Sequence, residues 1–268
     1  MNRITEKFNQ LKSENRGGFI PFIVAGDPNL ETTKKLILEL AKQDASVIEL
    51  GVPFSDPVAD GVTIQASGER ALRNSINVKS ILEIVAEVRR ARCETPIILF
   101  SYFNPILQLG LENFATKAKE SGVDGVLITD LVPEEAEEFR GILTEKDLAL
   151  IMLAAPTSSD ERLKKITEKA SGFVYAVSRA GVTGARTELS NEAENLVERL
   201  RKFTDLPIAV GFGISNAEQV AETWKYADAA VVGSAIVAEI MRLAPNSDEI
   251  PNEFVEKLGA FSGNLLPK

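Results

Sequence analysis

Carboxylates have to carry any acid–base chemistry in this chain, because its 268 residues include no histidine. That absence removes Ser-His and Cys-His nucleophilic machinery and every imidazole metal site. Proton transfer near neutral pH then falls to Asp, Glu, Lys, Tyr or the single cysteine, with shifted pKa values where needed. Cys93 follows the basic run Arg89-Arg90-Ala91-Arg92. Alone it forms no intrachain disulfide, and no imidazole is available to activate it as a nucleophile. No metal site is expected.

Two acidic residues stand out by position. Glu49 interrupts the apolar run Val47-Ile48-Glu49-Leu50-Gly51. Side chains alternate across a strand, so a carboxylate among apolar neighbours points to the opposite face from them. It is either an inward carboxyl ion-paired with a Lys or Arg, or a desolvated one whose pKa rises toward neutrality. Asp60 lies at the end of the proline-stiffened loop 52–61, just before Gly61 and a new helical stretch. It is either a helix N-cap or a second functional carboxylate.

Glycines supply a third signal. Gly211-Phe212-Gly213 and Gly233-Ser234 each follow an apolar run near the end of the chain. Such turns let backbone N–H groups approach a phosphate, helped by a helix N-terminus; plain tight turns are the alternative. The small, polar stretch 178–187 has the composition of a lid that closes over a ligand, or of an ordinary exposed loop.

These residues need a scaffold that gathers them. Short β-branched runs at 18–24, 46–50, 96–101, 125–129, 149–153, 172–177, 207–210 and 229–232 read as strands. Amphipathic stretches at 30–43, 80–92, 113–121, 133–145, 161–170, 192–203 and 216–226 separate them. Continuous apolar strands alternating with helices mean a parallel sheet covered by helices. Eight units without a polar linker predict one (β/α)8 TIM-barrel domain over residues 1–268, rather than an open doubly wound sheet. An extra N-terminal helix at 4–15 is expected to plug the bottom of the barrel. The glycine- and proline-rich turns after the strands then fall on the C-terminal face, where barrel active sites are built.

Charge narrows the partners. With 30 basic and 39 acidic residues, the net charge of -9 argues against nucleic acid. No apolar run reaches the ~18 residues needed to span a bilayer, and the polar first 16 residues resemble no signal peptide. A soluble, cytoplasmic protein is the expectation.

The residues also match a family. The segment 48–61, Ile-Glu-Leu-Gly-Val-Pro-Phe-Ser-Asp-Pro-Val-Ala-Asp-Gly, resembles the signature of the tryptophan synthase alpha chain. Further matches run in order along the chain: Pro21-Phe22, Gly26-Asp27-Pro28, Tyr102-Phe103-Asn104-Pro105, 125–130, Tyr175, 179–187, Gly211-Phe212-Gly213 and Gly233-Ser234. The resemblance implies a lyase that splits indole-3-glycerol phosphate into indole and glyceraldehyde 3-phosphate. It makes Glu49 the general acid/base and Asp60 the group that holds the indole N–H. It places Phe22, Phe100, Leu127, Thr129, Leu153, Tyr175 and Phe212 around the indole. Gly184, Gly213, Gly233 and Ser234 fall on the phosphate, and Thr183 in the lid bonds the second carboxylate.

The same resemblance implies a heterotetramer with a beta subunit that carries pyridoxal phosphate, and no cofactor in this chain. Pro53, Asp56, Pro57, Asn104, Pro105 and Asp130 match the contact loops. Val58, Val62, Thr129 and Leu131-Val132 depart from the family pattern in the catalytic loop, the pocket wall and the region near the partner. A stand-alone lyase and a non-catalytic barrel that activates its partner are the alternatives.

Overall fold

The computed structural model describes residues 2–178, 191–211, 213–244 and 250–267. Eight parallel strands close into a barrel in sequence order: β1 (Gly18–Val24), β2 (Ile48–Gly51), β3 (Ile97–Ser101), β4 (Gly125–Ile128), β5 (Ala149–Ala154), β6 (Val174–Val177), β7 (Ile208–Gly211) and β8 (Ala229–Val232). The open-sheet alternative is excluded by the pairing of β8 with β1.

Helix α1 (Arg3–Ser13) precedes the barrel and α2 (Leu30–Lys42) follows β1. The β2–β3 crossover holds α3 (Val62–Arg73) and α4 (Val78–Arg90), and the next holds α5 (Phe103–Leu109) and α6 (Leu111–Ser121). Among the described residues one helix then follows each of β4 to β7: α7 (Glu137–Glu145), α8 (Asp160–Lys169), α9 (Asn191–Leu200) and α10 (Ala217–Thr223). After β8 come α11 (Ser234–Leu243) and α12 (Asn252–Gly263), which were not among the stretches singled out by periodicity. Asn104 and Pro105, expected in a loop, lie in the first turn of α5. A proline fits there because its missing N–H has no intrahelical acceptor.

Alternation along the strands sorts the side chains into two cores. Outward residues such as Ile48, Leu50, Leu99 and Val126 pack under the helices. Inward residues such as Val47, Ile98, Leu127, Ile151 and Phe173 fill the barrel. The buried Ile4, Phe8 and Leu11 of α1 join that inner group, with the Phe8 and Phe173 ring centroids 5.7 Å apart. The N-terminal helix therefore stoppers the barrel bottom, as its apolar stripe predicts.

Polar groups lock the stopper in place. The buried Asp124, just before β4, accepts hydrogen bonds from Arg3 at 3.1 Å, Arg89 at 2.7 Å and the Ile97 N–H at 2.8 Å. Asn2 donates to the Asp124 carbonyl at 2.7 Å and caps α1 through the Ile4 N–H. Among the described residues no helix is long and apolar enough to cross a membrane.

Candidate active site

Glu49 sits on β2 with Phe22 of β1 and Ile98 of β3 as its neighbours across the sheet. Its outward neighbours Ile48 and Leu50 are fully buried under helices, so the alternation turns Glu49 into the barrel. It is itself buried, and its Oε1 has no hydrogen-bond partner among the described residues. No Lys or Arg among the described residues pairs with it, which favours the desolvated reading. Burial pushes the carboxyl up to about 8, so Glu49 is protonated at neutral pH.

Asp60 reaches the same cavity from the loop after β2. Residues lining it include Phe22, Glu49, Asp60, Gly61, Phe100, Tyr175, Gly213, Gly233 and Ser234. The N-cap reading of Asp60 is wrong: Gly61 holds the cap position of α3, with no side-chain cap bond. Partial burial raises Asp60 to about 6, and a hydrogen bond from Tyr102 works against that rise. The Tyr102 hydroxyl accepts from the Ala59 N–H at 2.9 Å, tying the loop to the end of β3. Burial, followed by the nearby Asp60 charge, pushes the Tyr102 phenol up to about 12, so it remains a donor. The two carboxylates thus occupy opposite protonation states at pH 7, an arrangement suited to one acid and one anion.

The apolar wall is built from strand ends. Phe22 and Phe100 meet edge to face with centroids 5.3 Å apart. Gly51 is needed beside them, because a Cβ there would come within 2.7 Å of the Phe22 ring. Tyr175 is buried on β6, and burial first, then the Glu49 charge, holds its phenol well above the usual range.

Gly213 and Gly233 also line this cavity, with Ser234 opening α11. Gly213 adopts φ 86°, the left-handed region that favours glycine. The first turn of α11 has no side-chain cap among the described residues, so its leading N–H groups remain available to an anion.

Not every expected residue reaches the cavity. Leu127 lies deeper, fully buried in the inner barrel core, and Leu153 packs against that core. Thr129 is half-buried and donates to the Ser101 carbonyl at 3.4 Å. Thr183, Gly184, Phe212 and the lid stretch 179–187 lie outside the described residues.

Among the contact-loop residues, Asp56, Asn104 and Asp130 are exposed, while Pro57 and Pro105 are half-buried. Pro53 is buried within the chain, because it follows directly on β2 and lies under the loop. Tyr102 and Ile64 were not anticipated as site residues. A polar aromatic one residue beyond a strand's C-terminal end was the available signal for Tyr102.

Known proteins share this arrangement over nearly the whole length. The family model described as the tryptophan synthase alpha chain matches residues 8–264. The tryptophan synthase alpha chain of Geotalea uraniireducens is 49% identical over 265 residues, 99% of this chain and 97% of that relative. That of Caulobacter vibrioides is 46% identical over 256 residues, covering 96% and 93%. The crystal structure of tryptophan synthase subunit alpha from Legionella pneumophila superposes with a TM-score of 0.90 at 37% identity, covering 99% of this chain and 97% of that one. A chain of the tryptophan synthase complex from Pyrococcus furiosus superposes with a TM-score of 0.83 at 41% identity, covering 93% and 97%. The chain belongs to the tryptophan synthase alpha chain family and is a lyase of tryptophan biosynthesis.

Proposed function

We propose that the barrel mouth cleaves indole-3-glycerol phosphate by a retro-aldol step in which Glu49 moves the protons and Asp60 holds the indole nitrogen. The observation that carries this reading is the buried Glu49 carboxyl, its Oε1 without a partner among the described residues, facing the same cavity as Asp60. Protonated Glu49 donates to indole C3, which breaks the ring's conjugation and places positive charge on the nitrogen. The Asp60 carboxylate accepts the N–H and stabilises that charge. Glu49, now a carboxylate, takes the proton of the hydroxyl on the carbon attached to C3. The C–C bond then breaks: its electron pair restores the ring as indole, and the hydroxyl carbon becomes the aldehyde of glyceraldehyde 3-phosphate. One proton is lent and one returned, so Glu49 ends as it began.

Phe22 and Phe100 supply the apolar contact for indole, with Tyr175, Leu127, Thr129 and Leu153 supporting that wall from within the barrel. Gly213, Gly233 and the Ser234 hydroxyl suit the phosphate; Gly184 would join them and Thr183 would bond Asp60, both outside the described residues. A cavity lined by both apolar rings and glycine turns matches a substrate that carries both an indole and a phosphate.

Assembly with a beta subunit in a heterotetramer is part of the proposal, supported by the fit to a chain of a tryptophan synthase complex. Asp56, Asn104 and Asp130 are the exposed residues of the contact face. In that assembly pyridoxal phosphate would belong to the partner, and the cleavage proposed here calls on no cofactor in this chain. The cytoplasm is the compartment that fits a chain with this composition.

Indole release from indole-3-glycerol phosphate, measured with and without added beta subunit, tests the reading. Glu49→Gln is expected to abolish release while the substrate still binds, and near-normal turnover in that variant refutes the mechanism. Turnover indifferent to the beta subunit favours a stand-alone lyase, and no release under either condition favours a purely activating barrel.

A further inference from the structure

Asp27, on the turn after β1, has no place in the chemistry above, yet its carboxylate is buried with an elaborate set of donors. Arg70 of α3 approaches it with Nε at 2.9 Å and Nη2 at 2.6 Å, a bidentate pair. The Ser67 hydroxyl donates to the same carboxylate. One turn beyond Arg70, Asn74 donates to the Pro28 carbonyl at 2.7 Å and the Gly26 carbonyl at 3.2 Å. Positions 67, 70 and 74 share one helix face, so the C-terminal half of α3 is fastened to the β1 turn by directional bonds.

The N-terminal half of the same helix holds the catalytic loop. Gln65 donates to the Asp60 carbonyl at 2.8 Å and the Pro57 carbonyl at 3.3 Å. Apolar packing gives α3 a modest anchor: its fully buried residues are the small Ser67, Gly68 and Ala71, with the partly buried Ile64 against the core. Packing of small residues is non-directional and tolerates sliding and rotation of a helix. A bidentate pair does not.

We propose that the Asp27–Arg70 pair, with Ser67 and Asn74, is a positioning device that sets Asp60 through helix α3. The inference rests on the catalytic reading of Asp60. The helical residues Val62 to Glu69 lie between Arg70 and the loop that carries Asp60, about 12 Å of helix, so the pair acts by placing the loop rather than by its own charge. Replacing such a pair by apolar residues is often neutral for stability; what it supplies here is register.

The test is indole release from indole-3-glycerol phosphate with the full-length chain and added beta subunit, separating kcat from KM. Arg70→Ala is expected to lower kcat by up to roughly 10²-fold, since displacing a catalytic group by ~1 Å costs about that much. KM should change little, because Gly213, Gly233 and Ser234 are untouched. Arg70→Lys, which keeps the charge but loses the fork, recovers only part of the loss.

In an Asp60→Asn background, Arg70→Ala is expected to lower kcat no further, because both changes remove the same contribution. A full multiplicative loss in the double variant overturns the inference, as does wild-type kcat in Arg70→Ala. Should Arg70→Ala fail to fold, Ser67→Ala and Asn74→Ala each remove a smaller part of the device. Wild-type kcat in both then overturns it. Wild-type kcat in Asp60→Asn alone refutes the catalytic reading and takes this inference with it. A crippled Asp60→Asn beside a fully active Arg70→Ala refutes only the positioning device.

Discussion

Glu49 and Asp60 differ by their surroundings rather than by their chemistry. Burial raises both, Glu49 to about 8 and Asp60 to about 6. The active form, Glu49 protonated and Asp60 ionised, is populated between those values. The pH dependence of kcat/KM should therefore be bell-shaped, falling below about 6 and above about 8. The substrate phosphate titrates near ~6 as well, so Asp60→Asn identifies the acid limb by what disappears. Tyr102→Phe removes the donor that lowers Asp60, and the acid limb is expected to move upward in pH.

Stability carries the same signature with its own sign. Glu49 binds its proton more tightly folded than unfolded, so its contribution is complete below about 4.5 and declines as pH rises to about 8. Glu49→Gln removes that decline. Denaturant titrations should show the variant gaining on the wild type by several kcal/mol across the window; parallel curves would contradict the buried titration. Glu49 was legible from alternation alone, because a strand has only two faces. That no ion partner meets it among the described residues was not legible, since that depends on every inward residue of the other strands.

At the scale of elements, loops and helix ends place the functional groups. The strands were legible within about two residues of their ends, because short β-branched runs have little other use. The contents of the longer crossovers were less so: α5 begins where a turn was expected, and a proline in a first turn reads the same either way. The bond between Asp27 and Arg70 spans 43 residues and has no periodic signal. Gly213 belongs to this scale too. Its φ of 86° leaves open space around a would-be Cβ, so Gly213→Ala meets no neighbour but strains the turn. The expected result is a higher KM with kcat nearly intact, measured by indole release, since the loss concerns anion binding rather than proton transfer.

Across the whole molecule, the two ends of the barrel do different work. The bottom holds Asp124 between Arg3 and Arg89, with Asn2 and α1 sealed against it. Removing one partner from such a buried group leaves uncompensated charge, so Asp124→Ala should cost about 3–5 kcal/mol. Thermal unfolding measures that loss, while kcat per folded molecule should stay unchanged because the site lies at the other end. Loss of kcat in step with stability would deny the separation. The closed barrel was legible from eight repeating units without a linker. Which surface meets a partner was not, because the contact loops carry no exceptional apolarity and Pro53 proved to be buried.

The stopper formed by α1 also has a consequence for traffic. A barrel sealed below is a blind well, so fuel and exhaust share one opening. On the proposed reading, indole and glyceraldehyde 3-phosphate both leave by the mouth that admitted the substrate. Clearance is thus a queue, and whatever sits across the mouth governs both what enters and the order in which the two fragments depart.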